Sequence, residues 1–248
     1  MQLILQNTFT FDYYQTLLET LQEDSFTFIL EPDALKSTKK SIINRHDIDF
    51  HPPYALRTGL IEESLGIKSS YYFLLDSLFY NAFSKDVINI IHQLKEMGHS
   101  VNLHFDSTSQ SCRNLNELES RLNSQKLIWR SVFGFELDSF TFHMNNDFTK
   151  NCNAEYYSGL LNAGLLARQP LVSYISDSNG FWASTPQEST SLEIKDSLLL
   201  LTHPEWWNDK KLTTHERFNF FLDEKRKALS DWYEDVLKIH NRPFPGKS

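Results

Sequence analysis

The sequence predicts one α/β domain over residues 1–248, in which parallel strands, each followed by a helix, form a barrel. Strand-like and helix-like segments alternate along most of the chain, which is typical of parallel strands joined by right-handed crossovers. Six or seven such units suit a barrel of 248 residues. The chain has no glycine-rich phosphate loop, which disfavours an open doubly wound sheet.

The hydrophobic pattern predicts each element in turn. Apolar residues at helical spacing predict a helix over 10–22; the short run SFTFIL then predicts a strand over 25–30, and polar residues predict a surface loop over 31–40. Further strand-like runs are SIINRHDI at 41–48, SSYYFLL at 69–75, SVNLH at 100–104, SFTFH at 139–143, LVSYISD at 171–177 and SLLLLTH at 197–203. Helical patterns cover 52–66, 83–98, 114–134, 154–164 and 216–240. The alternating core therefore extends from about residue 41 to 207, with an N-terminal helix and strand and a C-terminal helix as additions.

Composition and charge exclude several classes of protein. Hydrophobic residues make up 40% of the chain and aromatic residues 14%, enough to bury a large core. The net charge is −8 and no basic stripe is visible, so nucleic acid is not an expected partner. The sequence has no stretch of about 18 apolar residues, so it predicts no membrane span. The N-terminal residues lack the pattern of a secretory signal and there are only two cysteines, so we expect a cytoplasmic protein.

Ionisable residues gather at the carboxyl ends of five predicted strands. Arg45, Asp47 and Asp49 share one face of the first, because side chains alternate along a strand. His104 and His143 end two others, each on a face shared with small polar residues; Asp177 and His203 close the last two. In a barrel these ends meet at the catalytic face. Packing alone does not explain five strands that end this way.

Some of these residues could have simpler structural roles. Asp47 and Asp49 could cap the helix that starts near Pro52, but two close carboxylates repel each other without a cation. His99 lies on the opposite face from His104 and about 16 Å away in an extended strand, so the two histidines cannot share one metal. His46 faces away from the two aspartates. We therefore expect His46 and His99 to be structural.

At this point five motifs, in order, resemble those of the polysaccharide deacetylases, carbohydrate esterase family 4. They are RHDID at 45–49, GHSVNLHFD at 98–106, FTFHMN at 140–145, YISDSNGFW at 174–182 and LLTHPEWW at 200–207. The similarity is greatest to a divergent branch with RHDxD, often found in surface-polysaccharide gene sets. The resemblance implies a distorted (β/α)7 barrel that holds one divalent metal, usually zinc.

The resemblance also implies roles for individual residues. Asp47 matches the general base, Asp49 and His104 match metal ligands, and His203 matches the general acid. Asp177 and Trp182 resemble the motif that orients this acid and lines the pocket. Arg45, on the same face as Asp47, could hold the base ionised.

Two motifs depart from the family pattern. Thr108 stands where the second metal-binding histidine is expected, and His143 lies where the third motif normally supplies an arginine and prolines. We therefore predict that Asp49, His104 and His143 bind the metal, with Asp106 as the alternative third ligand. If neither binds the metal, the metal site would be weakened or inactive.

These residues together predict a hydrolase that removes an N-acetyl group from an amino sugar or glycan. Trp206 and Trp207 follow the acid, and either could stack on a sugar ring or simply pack in the core. Two alternatives stay open at this stage. The chain could hydrolyse another non-peptide C–N bond, or it could be a silent barrel that binds a glycan or a partner enzyme.

Overall fold

Seven parallel strands form a curled sheet. Counted as a circle, they come in chain order, so that the last strand lies beside the first. The computed structural model describes residues 2–24, 26–31, 40–182, 189–194 and 196–242. The strands are β1 (Gln2–Gln6), β2 (Thr27–Phe28), β3 (Ser41–Ile48), β4 (Ser70–Leu74), β5 (Ser100–Asp106), β6 (Ser139–His143), β7 (Tyr156–Tyr157), β8 (Leu160–Asn162), β9 (Val172–Ser176), β10 (Ser189–Glu193) and β11 (Ser197–Thr202). The helices are α1 (Phe11–Glu23), α2 (Pro52–Ser64), α3 (Lys85–Glu96), α4 (Leu115–Phe133) and α5 (Thr214–Ile239).

The main sheet has the order β7-β8-β6-β5-β4-β3-β11-β9, and β2 pairs with the start of β3. Strands β3, β4, β5, β6, β8, β9 and β11 are all parallel to their neighbours in this order, whereas β7 pairs antiparallel with β8. Among the residues described here, no ladder joins β8 to β9. The predicted α/β class with seven parallel strands is confirmed, and the barrel is open between its fifth and sixth strands.

Local sequence signals explain where the helices begin and end. The side chains of Thr10 and Ser84 accept hydrogen bonds from the first turns of α1 and α3. Helix α2 starts with a proline at its first position. Helix α4 stops at Gly134, whose φ of 78° gives the left-handed conformation that favours glycine. Thr213 forms a capping box at the start of α5.

Two large apolar clusters cover the outside of the sheet. One packs α2, α3 and α4 against β3 to β6 around the fully buried Trp129. The other packs α1 and β1 against β3 and β11 and contains Trp182 and Trp207. No helix in the described parts of the chain is both long and apolar enough to cross a membrane.

The predicted helix over 154–164 is wrong. This segment forms β7 and β8, followed by a 3-10 helix from Ala163 to Arg168. Ser158 and Gly159, which join the two strands, have φ values of 50° and 76°. Two successive positive φ values are typical of a tight two-residue hairpin turn. The Ser-Gly pair between apolar residues therefore indicates a hairpin, not the predicted helix.

Other differences lie near the N-terminus. The structure pairs β1 antiparallel with β10, neither of which was predicted. The predicted strand over 25–30 is shortened to β2. Most of the predicted surface loop, 32–39, lies outside the described residues, but Glu31 at its start is fully buried and accepts a hydrogen bond from Tyr72.

Candidate metal and catalytic site

The functional side chains predicted from five strands meet at one edge of the sheet. Asp49 directly follows β3, His104 lies near the end of β5, His143 ends β6 and His203 directly follows β11. Because these strands are parallel, their carboxyl ends meet at the same edge. Asp47, in β3 itself, points to the same side as Asp49 and reaches within 3.8 Å of His104 Nε2 through its Oδ2 atom.

Three potential metal ligands form a nearly equilateral triangle. Asp49 Oδ1 lies 3.4 Å from His104 Nε2 and 3.4 Å from His143 Nδ1, and the two nitrogens are 3.2 Å apart. Tetrahedral coordination with bonds of about 2.0–2.2 Å places neighbouring ligand atoms about 3.3–3.6 Å apart. The three atoms therefore have the spacing of one face of a metal-centred tetrahedron, which leaves the fourth position open.

The polar surroundings of this triangle also fit a cation. Asp49 Oδ1 is buried and accepts no hydrogen bond of normal geometry from the described residues. His104 Nδ1 lies 2.8 Å from the hydroxyl of Thr141, on the far side of the ring from Asp49. If Nδ1 carries the ring proton and donates it to Thr141, Nε2 is free to bind a metal, and metal-bound histidines commonly donate their other ring N–H in this way.

Asp106, the alternative third ligand, forms hydrogen bonds within the turn that follows β5. Asp106 Oδ1 accepts hydrogen bonds of 2.8 and 3.1 Å from the backbone nitrogens of Thr108 and Ser109. These bonds hold the turn after β5. Asp106 is absent from the group of possible ligands that Asp49, His104 and His143 form. The geometry therefore favours His143 over Asp106.

Arg45 and Asp47 form a buried bidentate ion pair. Arg45 Nε and its Nη2 donate to the two oxygens of Asp47 at 3.0 and 2.7 Å. Burial by itself would raise the pKa of Asp47, but the Arg45 guanidinium and the nearby histidines hold it below its ordinary value. Asp47 is therefore a carboxylate at neutral pH and lies beside the ligand triangle.

His203 is held by a second buried carboxylate. Its Nδ1 lies 2.7 Å from Asp177 Oδ1, and its Nε2 faces the centre, 4.0 Å from Asp49 Oδ2. Burial by itself would lower the pKa of His203, but the hydrogen bond to Asp177 and the surrounding carboxylates raise it to about 10. Trp207 donates from its indole nitrogen to the other oxygen of Asp177. These contacts of Asp177 fix the position of the His203 ring.

The predicted sugar contacts of the tryptophans need correction. Trp182 and Trp207 are both 0% exposed and pack around Phe9 in the core, so neither ring can stack on a sugar. For Trp207 the alternative role of core contact, which the sequence left open, describes its position. Trp206 is half-buried and packs edge-on against Phe50. Asp177 is likewise fully buried and reaches the site only through His203.

Glu205 is a site residue that the sequence analysis missed. Its Oε1 accepts hydrogen bonds from the backbone nitrogens of Asp49 and Phe50 at 2.8 and 3.2 Å. Burial, followed by the nearby Asp49 carboxylate, raises the pKa of Glu205 to about 8. Its position two residues after His203 could have indicated this role. The chain after β11 brings the Glu205 side chain to the end of β3.

A small polar cavity adjoins the site inside the curled sheet. It has a volume of about 160 Å³ and its walls include Arg45, Thr141 and Tyr174, which come from β3, β6 and β9. Tyr174 is 41% exposed and is an accessible aromatic ring at this cavity. Thr141 connects the cavity to the ligand triangle through its contact with His104.

The two histidines expected to be structural lie on the other face of the sheet. His46 Nε2 is 2.6 Å from Glu62 Oε1, and His99 Nδ1 accepts a hydrogen bond from the backbone nitrogen of Ser69. Both histidines are buried against α2 and away from the ligand triangle. The prediction that neither is a metal ligand agrees with this placement.

Comparison with known proteins adds a distant structural likeness. Neither a protein-family model nor a curated protein sequence matches the chain. Its structural neighbours include the Xyl-CE4 domain of a multidomain xylanase from the hindgut metagenome of Trinervitermes trinervoides, at 10% identity and a TM-score of 0.41 over 82% of this chain and 92% of that chain. A chitin deacetylase from the fungal pathogen Colletotrichum lindemuthianum aligns at 12% identity and a TM-score of 0.40, over 80% and 86%.

A third neighbour is a pseudoenzyme of the same CE4 family from Bacillus anthracis, at 10% identity and a TM-score of 0.41, over 77% of this chain and 62% of that chain. The neighbours thus come from the family that the five motifs resemble. The likeness is distant, and the family includes members named as inactive.

Proposed function

We propose that this protein is a metal-dependent hydrolase that removes an N-acetyl group from an amino sugar or glycan. The observation that carries the proposal is the triangle of Asp49, His104 and His143, with Asp47 and His203 at its edge. Zinc is the metal that best suits one carboxylate and two imidazole ligands at this spacing. A bound divalent metal would polarise the amide carbonyl and lower the pKa of water.

Asp47 is placed to act as the general base. Its carboxylate lies 3.8 Å from His104 Nε2, yet both of its oxygens are held by Arg45, so it lies beside the ligand group without belonging to it. The reaction requires a water to lose a proton as its oxygen bonds to the acetyl carbon. Asp47 can accept this proton, and Arg45 keeps it ionised beforehand.

His203 is placed to act as the general acid. Its Nδ1 is fixed on Asp177, so that Nε2 faces the site and the protonated ring is stabilised by a buried carboxylate. When the C–N bond breaks, the departing nitrogen takes the bonding electrons and needs a proton. His203 can donate that proton from Nε2, and the products are acetate and the free amine.

The adjoining cavity gives the substrate a place to bind. A volume of about 160 Å³ is close to that of five liquid water molecules at about 30 Å³ each, enough for an acyl group or part of a sugar. Tyr174 replaces the buried tryptophans as the candidate ring for stacking on the sugar, because it is accessible at the cavity wall.

The proposal is tested by measuring bound metal and released acetate on the same preparation. We expect close to one divalent metal per chain, and acetate release from an N-acetylated amino-sugar oligomer that stops when the metal is chelated. His203→Ala should keep the metal but lose most of the activity, whereas exposed His215→Ala should change neither. A chain that takes up no zinc would rule out the hydrolase. A metal-loaded chain that releases no acetate from the oligomer but cleaves another amide would support the alternative C–N hydrolase.

A further inference from the structure

Asp49 lies at the point where strand β3 leaves the sheet. The last residue of β3 that pairs with β4 is Ile48, opposite Phe73, and the pairing with β11 ends two residues earlier, at His46. The backbone groups of Asp49 therefore lie beyond these two ladders. Buried backbone N–H and C=O groups need hydrogen-bond partners. At this position side chains from two neighbouring loops supply them.

The two backbone N–H groups after β3 donate to one oxygen of Glu205. Asp49 N and Phe50 N lie 2.8 and 3.2 Å from Glu205 Oε1. Glu205 is only 2% exposed, so solvent has little access to these hydrogen bonds. Its side chain reaches across from the segment after β11, the strand that lies beside β3 in the sheet. The contact therefore ties together two adjacent strand ends.

Two hydroxyl groups hold the carbonyl groups of the same segment. Ser77 Oγ donates to the Asp49 carbonyl at 3.0 Å, and the Tyr80 hydroxyl donates to the Ile48 carbonyl at 2.9 Å. Both residues lie in the loop after β4. The Asp49 backbone is thus held from both sides, by the loop after β4 and by Glu205. Such contacts limit how far the backbone can turn, and so they fix where the Asp49 carboxylate points.

Glu205 also belongs to the turn that begins at His203. A 3-10 helix runs from Pro204 to Trp206, and Trp206 N donates to the His203 carbonyl at 3.0 Å. One short, hydrogen-bonded turn therefore carries both His203 and the acceptor for the Asp49 backbone. His203 Nε2 lies 4.0 Å from Asp49 Oδ2. The bonds made by Glu205 thus connect the position of Asp49 to that of His203.

We propose that Glu205 is a positioning residue: its Oε1 atom holds the Asp49 backbone so that the Asp49 carboxylate stays in the ligand triangle, beside His203. The inference rests on the proposed function, which makes this triangle a metal site. Glu205 acts through Asp49 and not as a ligand, since it is absent from the group of possible ligands that Asp49 forms with His104 and His143. This role depends on the reach of the Glu205 side chain and on an oxygen that accepts, and not on the negative charge.

Two conservative variants separate reach from charge. Glu205→Gln keeps the length of the side chain and an oxygen acceptor but removes the charge. Glu205→Asp keeps the charge but is shorter by one carbon–carbon bond of about 1.5 Å, which takes its oxygens out of hydrogen-bond distance of Asp49 N and Phe50 N. In a zinc titration of the full chain, Glu205→Gln should bind within a few-fold of the original chain. Glu205→Asp should raise the dissociation constant by about 10- to 100-fold.

Hydrogen exchange of the metal-free full chain, followed by NMR, tests the same contact without a metal. The amides of Asp49 and Phe50 should be protected in the original chain and in Glu205→Gln. In Glu205→Asp they should exchange at least about tenfold faster. The Ser69 amide, which donates to His99 Nδ1 on the other face of the sheet, is the internal reference and should not change.

Glu216→Asp is the matched control variant. Glu216 is exposed, and its carboxylate also accepts a hydrogen bond from a backbone nitrogen, that of Thr213 at the start of α5. Shortening this side chain should leave the zinc affinity and the amides of Asp49 and Phe50 unchanged. Circular dichroism and urea denaturation check that every variant is folded.

The ranking of the two Glu205 variants decides the proposal. It is overturned if Glu205→Asp binds zinc as tightly as the original chain. It is also overturned if Glu205→Gln weakens binding as much as Glu205→Asp does, because the charge would then be the property that matters. An original chain that binds no zinc would refute the proposed function, and hydrogen exchange would still decide whether Glu205 holds the Asp49 backbone.

Discussion

Replacing Thr141 with valine tests whether the structure holds His104 ready for a metal. Valine has nearly the shape of threonine but lacks the hydroxyl that lies 2.8 Å from His104 Nδ1. Thr141 is fully buried, and its hydroxyl is the hydrogen-bond partner of His104 Nδ1. Metal binding through Nε2 requires the ring proton on Nδ1, and that proton would then lack an acceptor.

The expected magnitude follows from two independent considerations. A buried donor without a partner costs about 1–3 kcal/mol. Loss of the group that accepts the other ring N–H of a metal-bound histidine typically lowers metal affinity by about 10- to 100-fold. At about 1.4 kcal/mol per tenfold change, this equals about 1.4–2.8 kcal/mol. The two ranges agree, so we expect Thr141→Val to raise the zinc dissociation constant by about 10- to 100-fold.

The metal-free protein should respond differently. Without a metal, His104 can carry its proton on Nε2, where Asp49 and His143 lie within 3.4 Å, so Nδ1 needs no acceptor. The unfolding free energy of the metal-free variant should therefore change less than its zinc affinity does. Titration calorimetry with zinc, or competition with a coloured chelator, measures the affinity, and urea denaturation after chelation measures the stability.

Thr58→Val provides the control for loss of a buried hydroxyl. Thr58 is also fully buried and its hydroxyl donates to the backbone oxygen of Ala55, but it lies in α2 on the other side of the sheet. This variant should lose stability and keep its zinc affinity. If Thr141→Val binds zinc as tightly as the original chain, or if Thr58→Val weakens zinc binding equally, Thr141 does not hold His104 ready for the metal.

The remaining predictions concern the ligands, the base and the stability of the sheet. His143→Ala should weaken zinc binding by more than about 100-fold, beyond a second-shell effect, whereas Asp106→Asn should change it little; the opposite ranking in the same titration would identify Asp106 as the ligand. Asp47→Asn should keep the metal and lower acetate release by about 10²–10⁴-fold, and loss of the metal instead would make Asp47 a ligand. Glu62→Gln should cost about 1–3 kcal/mol in urea denaturation at pH 7, because it removes a carboxylate that accepts hydrogen bonds from buried Asn44 and Tyr71, while exposed Glu63→Gln should cost little. Burial alone would raise the pKa of Glu62, but its histidine neighbours hold it below the ordinary value of 4.5, so its stabilisation is complete above that pH and is lost as pH falls below it. Glu62→Gln should therefore lose less stability on acidification than the original chain, and an identical loss would contradict the assignment.

Strand alternation was sufficient to predict the centre of the site. A two-residue period places Asp47 and Asp49 on one face and His46 on the other, and parallel pairing brings His104 and His143 to the same edge. These relations depend only on regular backbone geometry, which is why they could be predicted from the chain alone. His143 was predicted as the third ligand from this rule together with the resemblance, since Thr108 stands where the family has a histidine, and the structure places His143 Nδ1 3.4 Å from Asp49 Oδ1.

Relations that depend on loops and on packing between distant segments could not be predicted in this way. Trp182 and Trp207 carry the composition of a sugar-binding surface, but β1 and α1 pack over them and bury both rings. Nothing near either tryptophan in the sequence indicates that residues 2–23 cover it. Glu205 was missed for a related reason, because its partners are backbone nitrogens 155 and 156 residues away. The Ser158–Gly159 turn, in contrast, could have been predicted from the Ser-Gly pair, although the segment was predicted to be helical.

Strand β3 shows why the site lies where it does. All eight of its residues are buried, although Asn44, Arg45, His46 and Asp47 are polar, so its sequence lacks the apolar run expected of a central parallel strand. The buried polar side chains find partners on both faces. On the inner face Arg45 neutralises Asp47, and on the outer face Glu62 accepts hydrogen bonds from Asn44 and His46.

The outer network therefore has a consequence for the inner site. Glu62 also accepts a hydrogen bond from Tyr71 in β4, and His46 contacts Thr202 at 2.6 Å, the residue directly before His203. These contacts join β3 to β4 and β11 just before the carboxyl ends of the strands. Because a one-residue slip would turn Asp47 away from the site, a buried network that pairs only in one register also fixes which carboxylates face the ligand triangle. The polar residues that make β3 an unusual core strand are thus the ones that set the geometry of the site.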